Sequence, residues 1–255
     1  MNTMNTMNTM NKMNNLKDYI TPKSSEYYYK VMEIVNNLQT YMQNNVQKNI
    51  VSTKYNKAPV NTLIYGGFIR NIIRHYYHPS DEFTPSKDVD IWMYKNEIDP
   101  AQAKFSFSNG GYEMFMRQTL NDMRSKYNIP MIPYSTHVDP TKFTKSYSVF
   151  RQTIDNIDFD LCAQINSSDT FAVLTDFTVN NLYIDTMGNI IVRLKCGYTL
   201  DEITDHIKHK KLVKIFDITT QRLPEFDPIE IQIQMHIDRF NKRETKMLSY
   251  GYNYS

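Results

Sequence analysis

NTLIYGGFIRNIIRHYYHPSDEFTPSKDVDIWMY, residues 61–94, joins a Gly-Gly turn to two carboxylates two residues apart, and its reading decides the fold. Leu63-Ile64-Tyr65 is a short apolar run of the strand type. Gly66-Gly67 then makes a turn whose backbone can approach a ligand with no Cβ in the way. From Phe68 to Tyr77 the apolar residues Phe68, Ile69, Ile72, Ile73 and Tyr76 recur at helical spacing, which predicts a helix whose amino end stands directly behind the glycines. Such an end favours phosphate. Arg70 and Arg74 lie four apart on the same helix and repel one another unless an anion or acidic group comes between them; a triphosphate would serve.

Asp88-Val89-Asp90-Ile91-Trp92 alternates strictly, so both carboxylates fall on one strand face with Val89 and Ile91 in the core behind them. Carboxylates held that close raise one another's pKa unless a divalent cation neutralises them, and magnesium or manganese fits the oxygen donors. D-x-D alone is common and also describes a polar strand edge facing water. The glycines upstream tilt the reading towards a nucleotide and metal site built from Gly66, Gly67, Arg70, Asp88 and Asp90.

At 255 residues the chain suits one sizeable domain, or a domain with a small appendage, and can bury a real core. No apolar run approaches the roughly 20 residues that span a bilayer, and the start of the chain lacks the apolar centre of a signal peptide. The two cysteines, Cys162 and Cys196, stand far apart in no C-x-x-C pattern, which fits an intracellular, cytoplasmic protein with unpaired thiols and no structural zinc. A net charge of +2 excludes a strongly basic surface, so any contact with RNA must come from a local patch. Abundant Asn, Lys, Ile and Tyr with few Gly and Ala fit an AT-rich genome, a viral one included.

Residues 1–22 are read as a disordered leader, opening on three MNT repeats that cannot build a core. Residues 23–54 are read as one helix capped by Ser24 or Ser25. Its stripe is Val31, Ile34, Val35, Leu38, Tyr41, Met42 and Val46, and it packs on the domain that follows, with Tyr27, Tyr28 and Tyr29 as packing rather than a base-stacking platform. Within residues 55–195 a helix is expected at Tyr112–Tyr127, then a proline-rich loop. A hairpin follows, with strands Lys145–Phe150 and Ile157–Cys162 around Asp155-Asn156. On its second strand Asp158 and Asp160 oppose Ile157, Phe159 and Leu161, so one of them can join Asp88 and Asp90 across a sheet, and three acids can hold two metals. A second hairpin-like unit spans Thr175–Asp185 and Ile190–Val192, with Asp176 and Asn180 as its functional candidates. Residues 196–255 are read as a mainly helical extension. His206 and His209 are taken as solvated in a short basic helix, and the ambiguous run from Ile229 is taken as helix from its Gln, Glu, Lys and Met content.

With these blocks assembled, the sequence resembles the nucleotidyltransferase head of the DNA polymerase β-like superfamily, above all that of CCA-adding enzymes and bacterial-type poly(A) polymerases. GGFIR at Gly66–Arg70 is similar to the start of the family's GGxVRD block, DVDIW at Asp88–Trp92 to its paired-aspartate strand, and DFTVNNLYID at Asp176–Asp185 to its RRDFTxNAL block. DPIEIQIQMHIDRF, from Asp227, is faintly similar to its later DPLRxLRAxRF helix. Asn71 stands where the family has aspartate, Leu174 and Thr175 where two arginines precede DFT, and Glu230 where an arginine follows DPL.

The resemblance implies an α+β fold with a mixed or antiparallel sheet carrying the carboxylates, helices packed on one side and added terminal helices. It implies Asp88, Asp90 and Asp160 as catalytic metal ligands, with Asp158 as the alternate. Gly66, Gly67, Arg70, Asp176 and Asn180 would bind a nucleoside triphosphate. The implied activity is template-independent transfer of a nucleotide to a hydroxyl, an RNA 3′ end first. The competing expectation is a protein of the same fold that binds nucleotide or a partner without turnover, which the departures at Asn71 and the arginine positions favour.

Overall fold

Strand β1 (Val60–Tyr65) lies antiparallel to β2 (Asp88–Lys95), and β2 runs parallel to β4 (Ile157–Gln164), which is paired antiparallel with β3 (Tyr147–Ile154). On the far side of β1 come β5 (Leu182–Ile184) and β6 (Ile190–Val192), both antiparallel to their neighbours, giving a mixed sheet of order β3-β4-β2-β1-β5-β6. The structure, a computed structural model, describes residues 14–49, 60–95, 147–164, 177–192, 197–215 and 229–254. The class is α+β, as the sequence implied. The β3–β4 hairpin closes through Asp155 and Asn156, with φ of 51° and 64°. Two successive left-handed residues match the right-handed twist of the flanking strands, and Asp and Asn tolerate that conformation better than most residues.

Helix α2 (Gly67–Tyr77) packs on β1, β2 and β5, and α1 (Pro22–Asn49) packs on β1. Val31, Ile34, Val35 and Leu38 of α1 are buried, as are Phe68, Ile69, Ile72 and Ile73 of α2, and they share one core with Ile64, Val89, Ile91, Phe159 and Leu161 from the sheet. Tyr28 stacks on Phe68, with ring centroids 6.2 Å apart and 14° between planes, and Tyr27 tilts against Phe68 and Phe83. Those two tyrosines pack, as expected, whereas Tyr29 is exposed. The side chains of Tyr41, Met42 and Val46 lie outside those described.

Two boundaries move. Helix α1 begins at Pro22, not at Ser24 or Ser25. The proline ring fixes φ for the first helical position, while Thr21 Oγ1 accepts from the Ser24 N–H at 3.4 Å and Ser24 Oγ from the Thr21 N–H at 3.0 Å. Residues 14–22, counted with the leader in the sequence reading, belong to the fold. Leu16–Tyr19 form a 3-10 turn, Leu16 N–H donates to Gly188 O at 2.8 Å, Ile190 N–H donates to Asn14 O at 2.8 Å, and Leu16 and Tyr19 are buried in the main core. The MNT repeats lie outside the described residues, with the helix expected at Tyr112–Tyr127, the loop after it and Cys196.

The C-terminal stretch supplies α3 (Leu200–Lys208), β7 (Lys211–Leu212), α4 (Ile229–Ser249) and β8 (Asn253–Tyr254). Thr199 and Glu202 close α3 with a reciprocal capping box, and the run from Ile229 is helix. Ile203, Ile207, Met247 and Tyr252 enter the same core as α1 and α2. No described helix is long and apolar enough to cross a membrane.

Candidate functional site

The parallel pairing of β2 with β4 sets Asp88 opposite Asp158 and Asp90 opposite Asp160, while Val89 meets Phe159 and Ile91 meets Leu161. Residues in register on neighbouring strands share a face, so four carboxylates line one side of the sheet and the apolar four line the side that α1 and α2 cover. The two-residue period of each strand creates both faces at once. Asp158 Oδ1 accepts a hydrogen bond from Thr153 Oγ1 on β3 at 2.6 Å, which ties it to the edge of the sheet. Asp90, like the other three, is part-buried. Loss of water raises its carboxyl pKa to about 7, with Asp88 and Asp160 adding to the rise and Arg243 and Lys246 on α4 opposing it. Oxygen donors that repel one another in this way suit a hard divalent cation. Among the described residues no three His, Cys, Asp or Glu side chains stand close enough together to hold an ion without moving.

The turn between β1 and α2 meets these carboxylates directly, because Tyr65 is the β1 partner of Asp90. Gly66 has φ +77° and ψ −131°, and a Cβ built on it would lie 3.1 Å from Asp90 Oδ2. A Cβ on Gly67 would lie 2.6 Å from Ser86 Oγ and 3.4 Å from Arg70 Nη2. A Cβ at Gly67 would therefore displace the Ser86 hydroxyl and one at Gly66 would press on Asp90, and the backbone conformation of Gly66 favours glycine as well. Ser86 is held under the turn, its carbonyl accepting from the Tyr27 hydroxyl at 3.3 Å.

Arg70 points back along α2 towards Gly67. Asn71 Oδ1 accepts from Arg70 Nε at 3.2 Å and from Nη2 at 3.1 Å, and Asn180 Oδ1 accepts from Nη1. Asn180 is brought there by the 3-10 turn Thr178–Asn180, which is pinned by Thr178 N–H to Val213 O at 3.0 Å. Asn71 thus orients Arg70 as a neutral acceptor. The ring of Tyr250, just beyond α4, lies 5.6 Å from the guanidinium carbon of Arg70 and 5.0 Å from that of Arg74.

Sequence reasoning thus brought together Gly66, Gly67, Arg70, Asp88, Asp90, Asp160 and Asn180, and Asp176 lies outside the described residues. It missed Ser86, Asn71 as a positioning group, Arg243, Lys246 and Tyr250. None of these carries a local pattern, since each reaches the site through tertiary packing. His206 is a correction: rather than being solvated, it is half-buried with Nδ1 2.9 Å from Thr178 Oγ1, and burial lowers its pKa. His209 is exposed and pairs with Asp205 at 2.7 Å.

No protein-family model matches the chain, and no curated protein does. Among solved structures, the Thermotoga maritima CCA-adding enzyme complexed with tRNA is similar over 79% of this chain and 36% of that chain, with a TM-score of 0.43 and 10% sequence identity. The chain spans about a third of the length of that enzyme's chain.

Proposed function

We propose that the chain is a metal-dependent, template-independent nucleotidyltransferase that moves a nucleoside monophosphate from a triphosphate to a hydroxyl, first of all an RNA 3′ end. The observation that carries this reading is the contact of the Gly66-Gly67 turn with Asp90, on a sheet face shared by Asp88, Asp158 and Asp160. Asp88, Asp90 and Asp160 would hold magnesium or manganese, with Asp158 as the alternate. When bound, the metal would favour ionisation of the attacking hydroxyl and offset charge on the phosphates. Gly66 and Gly67 leave the turn bare, so a phosphate can approach the amide groups at the start of α2. Arg70, oriented by Asn71 and Asn180, would give the triphosphate a fixed cation, and Asp176 extends the same block by resemblance. In the reaction the acceptor oxygen bonds to the α-phosphorus as the bond to pyrophosphate breaks, and the hydroxyl proton is lost to solvent or to a carboxylate of the site.

A second reading, a nucleotide-binding protein without turnover, is favoured by Arg243 and Lys246, whose charges oppose those of the carboxylates. The test uses each labelled nucleoside triphosphate with magnesium or manganese and mixed cellular RNA. Incorporation that disappears in Asp88→Ala/Asp90→Ala supports transfer. Nucleotide binding without incorporation by the wild type supports the second reading.

A further inference from the structure

On α2 and in the segment that follows α4, two buried hydrogen-bond donors have no acceptor among the described residues. Arg74 is 7% exposed, and its Nε is shut off from solvent without a hydrogen-bond partner among the described residues. Tyr252, fully buried, has a hydroxyl in the same condition. Both guanidinium charges, of Arg70 and Arg74, act on that hydroxyl and oppose the rise in its pKa that burial causes. Asp81, whose carboxylate Arg74 also influences, is already paired with Lys210 at 3.2 Å. The ring of Tyr250 covers the guanidinium, but an aromatic face offsets only part of the cost of taking such a cation out of water. A group with several acceptor oxygens and negative charge is the kind of partner that both donors lack.

We propose that Arg74 and Tyr252 form an anion site for a phosphate group, covered by Tyr250 and lying one helical turn beyond Arg70. Tyr250 is only part-buried and Gly251 beside it is exposed, so the ring is what an entering anion displaces. The phosphate comes from the far end of a bound nucleotide or from free pyrophosphate, and the inference rests on the nucleotidyltransferase reading only for that choice of source.

The test is calorimetric titration of the full chain with inorganic pyrophosphate in EDTA, repeated with ATP. The wild type should bind pyrophosphate. Tyr252→Phe, which removes only the unpartnered hydroxyl, should keep the fold and bind about tenfold more weakly. Arg74→Gln should lose binding, and if it fails to fold, Tyr252→Phe decides. Asp88→Ala/Asp90→Ala should bind pyrophosphate as the wild type does, which separates this site from the transfer reaction. An equal weakening for ATP in Tyr252→Phe would assign the site to the nucleotide, and a weakening for pyrophosphate alone would assign it to the free anion. No binding by the wild type at millimolar pyrophosphate, or unchanged binding in Tyr252→Phe, would overturn the proposal.

Discussion

Two clusters of like charge sit a short way apart in this molecule, and the fold treats them in opposite ways. On β2 and β4 the carboxylates are set side by side by strand register, and one of them, Asp90, is pushed towards its neutral form. On α2 the arginines are set side by side by helical spacing, and an aromatic ring from the C-terminal segment lies against both. An arginine stays charged whatever surrounds it, so its enclosure has to be met by ring faces and acceptors. A carboxylate can instead take up a proton. The carboxylate cluster therefore responds to pH and to cations, whereas the arginine cluster responds to anions and to the integrity of the C-terminal turn.

The largest expected effect concerns Asp90. Its carboxyl ionises near pH 7 in the folded chain and near pH 4 in the unfolded one. As pH rises between these values the unfolded chain gives up its proton first, so stability falls across that window and stays lower above it, by on the order of 3 kcal/mol. Urea denaturation at pH 5 and pH 8 should show this fall in the wild type and a flatter profile in Asp90→Asn, which should be the more stable protein at pH 8. Added magnesium should restore stability at pH 8 to the wild type and not to Asp90→Asn.

Gly66→Ala comes next. Alanine at φ +77° and ψ −131° is strained, and its methyl would press on Asp90 Oδ2, so denaturation should show a loss of about 1–3 kcal/mol. The same variant should bind divalent cations more weakly, whereas the arginine cluster, a turn away, should keep its affinity for pyrophosphate. Smallest is Tyr250→Leu, which keeps an apolar cover over α2 but removes the ring face; about 1 kcal/mol of stability should be lost. Millimolar pyrophosphate should recover more stability in that variant than in the wild type.

The parts of this arrangement that were legible in the sequence are those fixed by neighbours in the chain. Two glycines before a helical stripe, the alternation of Asp88 and Asp90 with Val89 and Ile91, and the Asp155-Asn156 turn each act within a few residues. The alternation on Ile157–Leu161 even showed which way Asp158 and Asp160 face, but not that β4 runs parallel to β2 so that each acid meets its counterpart. That depends on pairing across some seventy positions. Leu16 and Tyr19 were hidden by the Met/Asn composition around them, because two apolar residues make no periodicity although they fill the core. Tyr250, Arg243 and Ser86 had no signature, since what matters about them is the element they land on.

Manganese binding is the most direct measurement, followed by electron paramagnetic resonance at pH 8 in the wild type, Asp90→Asn and Asp158→Asn. If Asp88, Asp90 and Asp160 form a cation site, the wild type binds manganese, Asp90→Asn loses at least about tenfold in affinity, and Asp158→Asn, whose carboxylate is tied to Thr153, changes it far less. Equal affinity in all three proteins, or no binding by the wild type even with a nucleoside triphosphate present, would contradict the account.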